Sequence, residues 1–189
     1  MVNEARMQAT DAGLVPDGEG WWVLNARDVR WIERDGRGHS APFTGWTDEE
    51  AEGFYAMLGV NLVVLSPGQP MSIYHQETDQ EGFLVVAGEA LLIVEGQERP
   101  LKQWDYFHCP VGCEHTIIGA GDADCVIVAA GSRVNMGGPN WGSYTVDELA
   151  QRHRVAVDEE TPDPDVAYAR WAPSKPVRYG GWLPGDNRG

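Results

Sequence analysis

Two stretches decide how this chain reads. The first is Gly68-Gln-Pro-Met-Ser-Ile-Tyr74-His75-Gln76-Glu77-Thr-Asp-Gln80-Glu81, with six residues between Glu81 and Gly88. The second is Asp105-Tyr-Phe-His108-Cys109-Pro110-Val-Gly112-Cys113-Glu-His115. Around them, short apolar segments recur at spacings of roughly eight to twelve residues, a rhythm that marks a sandwich or barrel of short strands. The segments are Val60–Leu65, Met71–His75, Phe83–Ala87, Ala90–Val94, Arg99–Leu101, Asp105–Cys109, His115–Ile118 and Cys125–Ala130. Glycine-bearing turns separate them: Ser66-Pro67-Gly68, Gly88-Glu89, Glu95-Gly96-Gln97, Val111-Gly112 and Gly119-Ala-Gly-Asp122. The turns at Gly88-Glu89 and Gly96-Gln97 predict successive hairpins.

Outward from this region the texture changes. Residues 1–20 are polar and aperiodic, and predict a flexible N-terminal arm. Residues 21–57 hold a leading strand over Trp21–Ile32 (WWVLNARDVRWI) and a charged, turn-rich connection, in which Thr47 caps one helical turn ending at Glu50. The barrel itself is assigned to 58–131. Residues 132–189 read as a loop, two short helices and an extended tail packing on the barrel. Thr145-Val-Asp-Glu148 is a capping-box pattern for the first helix. Thr161-Pro-Asp-Pro164 leads into the second, over Asp165–Trp171. No second copy of the barrel pattern occurs.

Charge narrows the partners. Fourteen Lys and Arg against 29 Asp and Glu give a formal charge of −15 in 189 residues. Such a chain repels phosphate backbones and anionic lipid surfaces, so nucleic acid and membrane are not expected as partners. The longest apolar runs are too short to span a bilayer, and the N-terminus lacks the apolar core of an export signal. Three cysteines, Cys109, Cys113 and Cys125, read as reduced thiols in a cytoplasmic protein.

The two opening stretches together resemble the paired motifs of the cupin superfamily. Glu81-x6-Gly88 matches the end of the first motif, and Asp105 with Pro110-Val-Gly112-Cys-Glu-His115 matches the second. Trp104 stands where the family usually has glycine. The resemblance covers roughly Leu58 to Gly131. It implies an all-β jelly-roll barrel, here with a short helical C-terminal extension, and a divalent-metal site inside it. The flanks, too, resemble those of uncharacterised bacterial cupin-domain proteins.

The His-x-His element of the first motif is where this chain departs. With five residues between, the motif positions after Gly68 are Tyr74 and Gln76; with six between, they are His75 and Glu77. Strand side chains alternate, so only one of these pairs faces the barrel interior. Imidazole and carboxylate bind a divalent cation well, whereas tyrosine and glutamine seldom do, which favours the second register. The candidate ligands are then His75, Glu77, Glu81 and His115, with Glu77 alternatively an exposed carboxylate. His75, Glu81 and His115 alone form a two-His-one-carboxylate set with open positions for exchange. Fe or Mn suits such ligands best; Ni and Zn also fit them. Tyr74, Gln76, Gln80 and His108 are candidates for the pocket wall.

A structural zinc site built from His108, Cys109, Cys113 and His115 is a weaker reading, because His108 and Cys109 are adjacent on a strand and point apart. The dispersed tryptophans read as core or interface filler, with the Trp21–Ile32 strand a candidate contact in a homodimer. Two functions remain open. One is a metal-dependent enzyme, a dioxygenase or a carbonyl isomerase, acting on a small organic molecule. The other is a non-catalytic module that binds or senses such a molecule through its metal.

Overall fold

Strands with alternating burial dominate the chain. In order they are β1 (Arg6–Thr10), β2 (Gly13–Asp17), β3 (Trp31–Glu33), β4 (His39–Pro42), β5 (Leu58–Leu65), β6 (His75–Glu77), β7 (Glu81–Ala87), β8 (Glu89–Val94), β9 (Gln97–Lys102), β10 (Tyr106–Cys109), β11 (His115–Ala120), β12 (Cys125–Ser132), β13 (Gly142–Tyr144) and β14 (Lys175–Val177). Two short helices, α1 (Glu148–Arg152) and α2 (Pro164–Ala167), lie between β13 and β14. The structure is a computed structural model and describes residues 1–18, 20–44, 57–135 and 138–186.

The strands form a seven-stranded sheet, in the order β10-β7-β12-β5-β4-β3-β14, and a five-stranded sheet, β13-β6-β11-β8-β9. Every pairing between strands is antiparallel. Val63, Leu65, Phe83, Val85 and Ile127 of the first sheet meet Ala90, Leu92 and Ile117 of the second in the central core. This is a jelly-roll barrel with a short helical extension. Burial of these aliphatic side chains, at roughly 1.5–3 kcal/mol each, is what holds the sheets face to face.

Turn chemistry explains the corners. Glu95 and Gly96 both have positive φ (48° and 69°), the two-residue geometry that matches strand twist and joins β8 to β9. The Gly88 turn does something else. β7 and β8 belong to different sheets, so the expected hairpin there is a corner at which the chain crosses between sheets. Gly88 has φ +74°, and a Cβ there would lie 2.5 Å from the Asp124 carbonyl oxygen. Trp104, at the position where the family motif has glycine, also has positive φ (75°). Its peptide N–H donates to the Val85 carbonyl at 2.8 Å, which fixes this left-handed conformation in spite of the bulky side chain.

Several flanking expectations are corrected. Residues 1–20, expected as a loose arm, contain the β1–β2 hairpin, closed where Thr10 Oγ1 donates to the Gly13 carbonyl at 2.7 Å. The leading strand is only three residues long, Trp31–Glu33. Upstream, the Asn25 side chain accepts from the Arg27 N–H at 2.8 Å, an Asx turn that takes the backbone out of extended conformation. β3 is paired on both sides, by β4 and β14. Met71–His75 is not a strand; the strand starts at His75.

In the extension, Asp147 and not Thr145 caps α1: its carboxylate accepts from the Ala150 N–H at 2.7 Å. Thr145 instead gives its backbone N–H to the Tyr74 carbonyl at 3.1 Å. The second helix ends at Ala167, earlier than expected, with Asp163 as its cap. The tail does not merely lie on the surface, because Lys175–Val177 pairs with β3 as an edge strand. Pro176 is compatible with that edge position. The helical turn expected at Thr47–Glu50 lies outside the described residues. Among the described residues no helix is long and apolar enough to cross a membrane.

Candidate metal centre

The site forms where three strands begin. His75 opens β6, Glu81 opens β7 and His115 opens β11. His115 pairs directly with His75 across the five-stranded sheet, and their rings are 4.8 Å apart. Glu81 pairs with Gly131 of β12. A Cβ on Gly131 would lie 3.3 Å from Glu81 Cγ, so the glycine leaves the carboxylate its space. One ligand atom from each of His75, Glu81 and His115 lies within 4.8 Å of the others.

Hydrogen bonds orient both imidazoles. His75 Nδ1 is 2.7 Å from the Ile73 carbonyl, and His115 Nδ1 is 3.2 Å from the Cys113 carbonyl. A carbonyl only accepts, so each Nδ1 carries the proton and each Nε2 is left with its lone pair. His115 is fully buried, and burial, then the neighbouring His75, push its pKa down to about 3. Burial is the largest single influence on His75 and opposes its protonation, but the hydrogen bond to Glu77, the charges of Glu77 and Glu81 and the Ile73 carbonyl together shift its pKa upward. Glu81 is pushed up to about 7 by burial and then by Glu77, with His75 acting in the opposite direction.

A cation would complete this geometry. His115 Nε2 and Glu81 Oε2 are both buried with no hydrogen-bond partner, and they face each other at 3.5 Å. With Glu81 ionised both are acceptors and cannot satisfy one another, whereas a divalent ion satisfies both. His75, Glu81 and His115 therefore fit a divalent metal. Glu77 Oε1 lies 3.4 Å from His75 Nε2, beside this trio. Metal-free Glu81 holds a proton up to about pH 7, and an ion must displace it. The His75 pKa is raised as well, so affinity is expected to fall at least about tenfold per pH unit below 7. Mn(II) or Co(II) titrations between pH 5 and 8 would check this, and a flat profile over that range would contradict it.

The four pocket-wall candidates lie elsewhere. Tyr74 is fully buried, but in the cluster with Ile93, Ile118, Ala150 and Val155, between the outer face of the five-stranded sheet and α1. Tyr74 stands just before β6 and packs into this outer cluster, whereas the His75 ring faces His115. Gln76 is within 3.4 Å of Ser143, which donates to Glu160 at 2.8 Å, a polar chain on that same far side. Gln80 and His108 are exposed. The small zinc site fails for the same reason, since His108 faces solvent while Cys109 is buried 3.4 Å from His115 Nδ1. Burial holds the Cys109 and Cys113 thiols protonated well above the usual range.

The walls come instead from aromatic rings. Phe83 and Phe107 lie 5.3 and 5.6 Å from the His115 ring, on the inner side. Tyr144 and Trp141, from the C-terminal extension, lie 6.0 and 6.5 Å from His75. Phe107 was recoverable from the sequence by strand parity with Cys109. Nothing in the sequence pointed Tyr144 toward the site.

The chain is a small jelly roll whose His–Glu–His cluster, at the start of its strands, could hold a metal ion. Residues 61–131 match the family model of the Cupin domain, and this part of the chain is a cupin domain. Among solved structures, the chain is similar to a sugar phosphate isomerase from a cupin superfamily of Silicibacter pomeroyi. That match has 26% identity over 55% of this chain and 72% of that one, with a TM-score of 0.45. It is also similar to a Cupin 2 conserved barrel domain protein from Salinispora arenicola, with 18% identity, 64% and 93% coverage and a TM-score of 0.47. A third match, an Acidithiobacillus ferrooxidans protein provisionally named a sugar phosphate isomerase, has 22% identity, covers 53% of this chain and has a TM-score of 0.43. The chain spans only 62% of that protein's length. At these scores the likeness assigns no activity to this chain. No curated protein matches it.

Proposed function

We propose that this protein is a metal-dependent enzyme that moves a proton beside the carbonyl group of a small organic molecule. The facing pair of unpartnered acceptors, His115 Nε2 and Glu81 Oε2, carries the reading. With His75 they supply two imidazoles and one carboxylate to one side of an ion, a set that suits Fe(II) or Mn(II). Such an ion, when bound, polarises a carbonyl or acidifies water.

The chain's own groups divide the remaining work. The Nδ1 bonds to Ile73 and Cys113 keep both Nε2 lone pairs aimed at the ion's position. Phe83 and Phe107 exclude water from the inner side. Glu77 stands 3.4 Å from His75 Nε2 with its side chain 19% exposed, which places a carboxylate between the ligands and solvent. There it can take a proton from a substrate carbon and return it to the neighbouring one. Isomerisation needs one base that serves both carbons, and Glu77 is the reason for preferring it.

The Glu77→Gln variant tests this on a panel of small hydroxyaldehydes and hydroxyketones with the metal-loaded protein. It is expected to keep metal affinity and lose on the order of 10²–10⁴-fold in turnover. Wild-type turnover in the variant would remove Glu77 as the base. Metal binding without any metal-dependent turnover by the wild type would favour a non-catalytic binding module.

A further inference from the structure

We infer that Tyr168, in the C-terminal extension outside the cupin domain, is a positioning residue that sets the orientation of His75; the inference rests on the metal reading above. His75 is held on its non-ligating side by one bond, from Nδ1 to the Ile73 carbonyl at 2.7 Å. The orientation of the ring is therefore only as well defined as the backbone around Ile73. Ile73 lies just before β6, outside its ladder; β6 itself pairs with β11 at His75 and with β13 along all three of its residues. The peptide that carries the Ile73 carbonyl is held on its Tyr74 N–H, which donates to the Val155 carbonyl at 2.6 Å.

Tyr168 holds Ile73 from its other side. Its hydroxyl accepts from the Ile73 N–H at 3.3 Å, so a phenol from the extension holds one side of the residue whose carbonyl holds His75. Its ring reaches His75 by a second route. Tyr168 meets Tyr144 edge-on at 5.3 Å, and Tyr144 pairs with His75 across β13 and β6, its ring 6.0 Å from the imidazole. Tyr168 is itself fixed from below and behind. Its N–H donates to the Pro164 carbonyl at 2.9 Å at the end of α2, and the Arg37 guanidinium lies over its ring at 4.1 Å. Ile73, Tyr144 and Ala167 close the small core that these contacts surround. Groups that hold the far nitrogen of a metal-bound imidazole fix its tautomer, and losing them typically costs about 10–100-fold in metal affinity. Tyr168 acts one step further out, through the Ile73 peptide.

Two variants separate positioning from packing. Tyr168→Phe deletes the hydroxyl and keeps the ring; Arg37→Met removes the cation from the same ring and keeps the hydroxyl. With Co(II) as the probe, Tyr168→Phe is expected to weaken binding about tenfold and alter the visible Co(II) bands. Arg37→Met is expected to lower the melting temperature but keep the wild-type affinity and bands. Wild-type affinity and bands in Tyr168→Phe would overturn the inference, as would equal losses in both variants. If the wild type itself binds no Co(II), the metal reading fails, and the metal-free protein then decides about Tyr168. Long-range ¹H–¹⁵N spectra at alkaline pH are expected to show His75 protonated at Nδ1 in the wild type and as a tautomer mixture in Tyr168→Phe. Identical spectra would overturn the inference.

Discussion

Replacing His115 by alanine is expected to abolish tight binding of a divalent metal while leaving the barrel folded. His115 sits at the centre of the site, fully buried and flanked by His75, Phe83 and Phe107. Removing a group that merely orients a ligand costs about 10–100-fold, so removing the ligand itself should cost at least 100-fold. The fold should survive because the neutral imidazole, with its pKa near 3, carries no charge whose loss would strand a partner. The cavity left behind still costs about 2–4 kcal/mol of stability. Calorimetric titration with Mn(II) and thermal unfolding of the same sample check both halves. Retained tight binding in a folded variant would mean that the ion sits elsewhere.

The second large effect lies on the other side of the molecule. Trp31→Ala is expected to cost about 3–5 kcal/mol, a large part of the stability of a domain this size. Trp31 is completely buried, stacks on Tyr179 at 4.2 Å and donates from Nε1 to the Ala26 carbonyl at 2.7 Å. It anchors the second core, in which Val64 and Val126 from the back of the seven-stranded sheet meet Val29 and Leu183. Urea unfolding would measure the loss, and hydrogen exchange at Lys175 and Val177 should accelerate because, among the described residues, β14 pairs only with β3. A cost under about 1 kcal/mol would show that the tail is held by other contacts.

The barrel was legible because strand spacing and turn glycines report directly on backbone geometry. Gly96 marks a true two-residue hairpin, and the segments from Val60 to Ala130 fall on strands or within a residue or two of one, apart from Met71–Tyr74. The Gly88 turn misled because a positive-φ glycine serves a hairpin and a sheet-to-sheet corner equally well. At the site, the motif resemblance pointed to Glu81 and His115, and parity with ligand chemistry to His75; the fold brings the ligand atoms of all three together. The pocket-wall candidates were chosen by nearness in sequence, and Tyr74, just before β6, and Gln76, within it, lie on the far side. The rings that do border the site, Trp141 and Tyr144, arrive through β13, some 65 residues after β6. Long-range pairing of that kind leaves no local signal. The same limit hid the role of Asp147, since Thr145 fits a capping box until its backbone is committed to Tyr74.

The central claim is that His75, Glu81 and His115 hold one divalent ion. Anomalous diffraction from crystals grown with Mn(II) tests it most directly. The predicted result is a single strong peak about 2.0–2.2 Å from Nε2 of each histidine and from a Glu81 oxygen. A peak bounded by other side chains, or density with His75 turned out of the barrel and Tyr74 turned in, would contradict it.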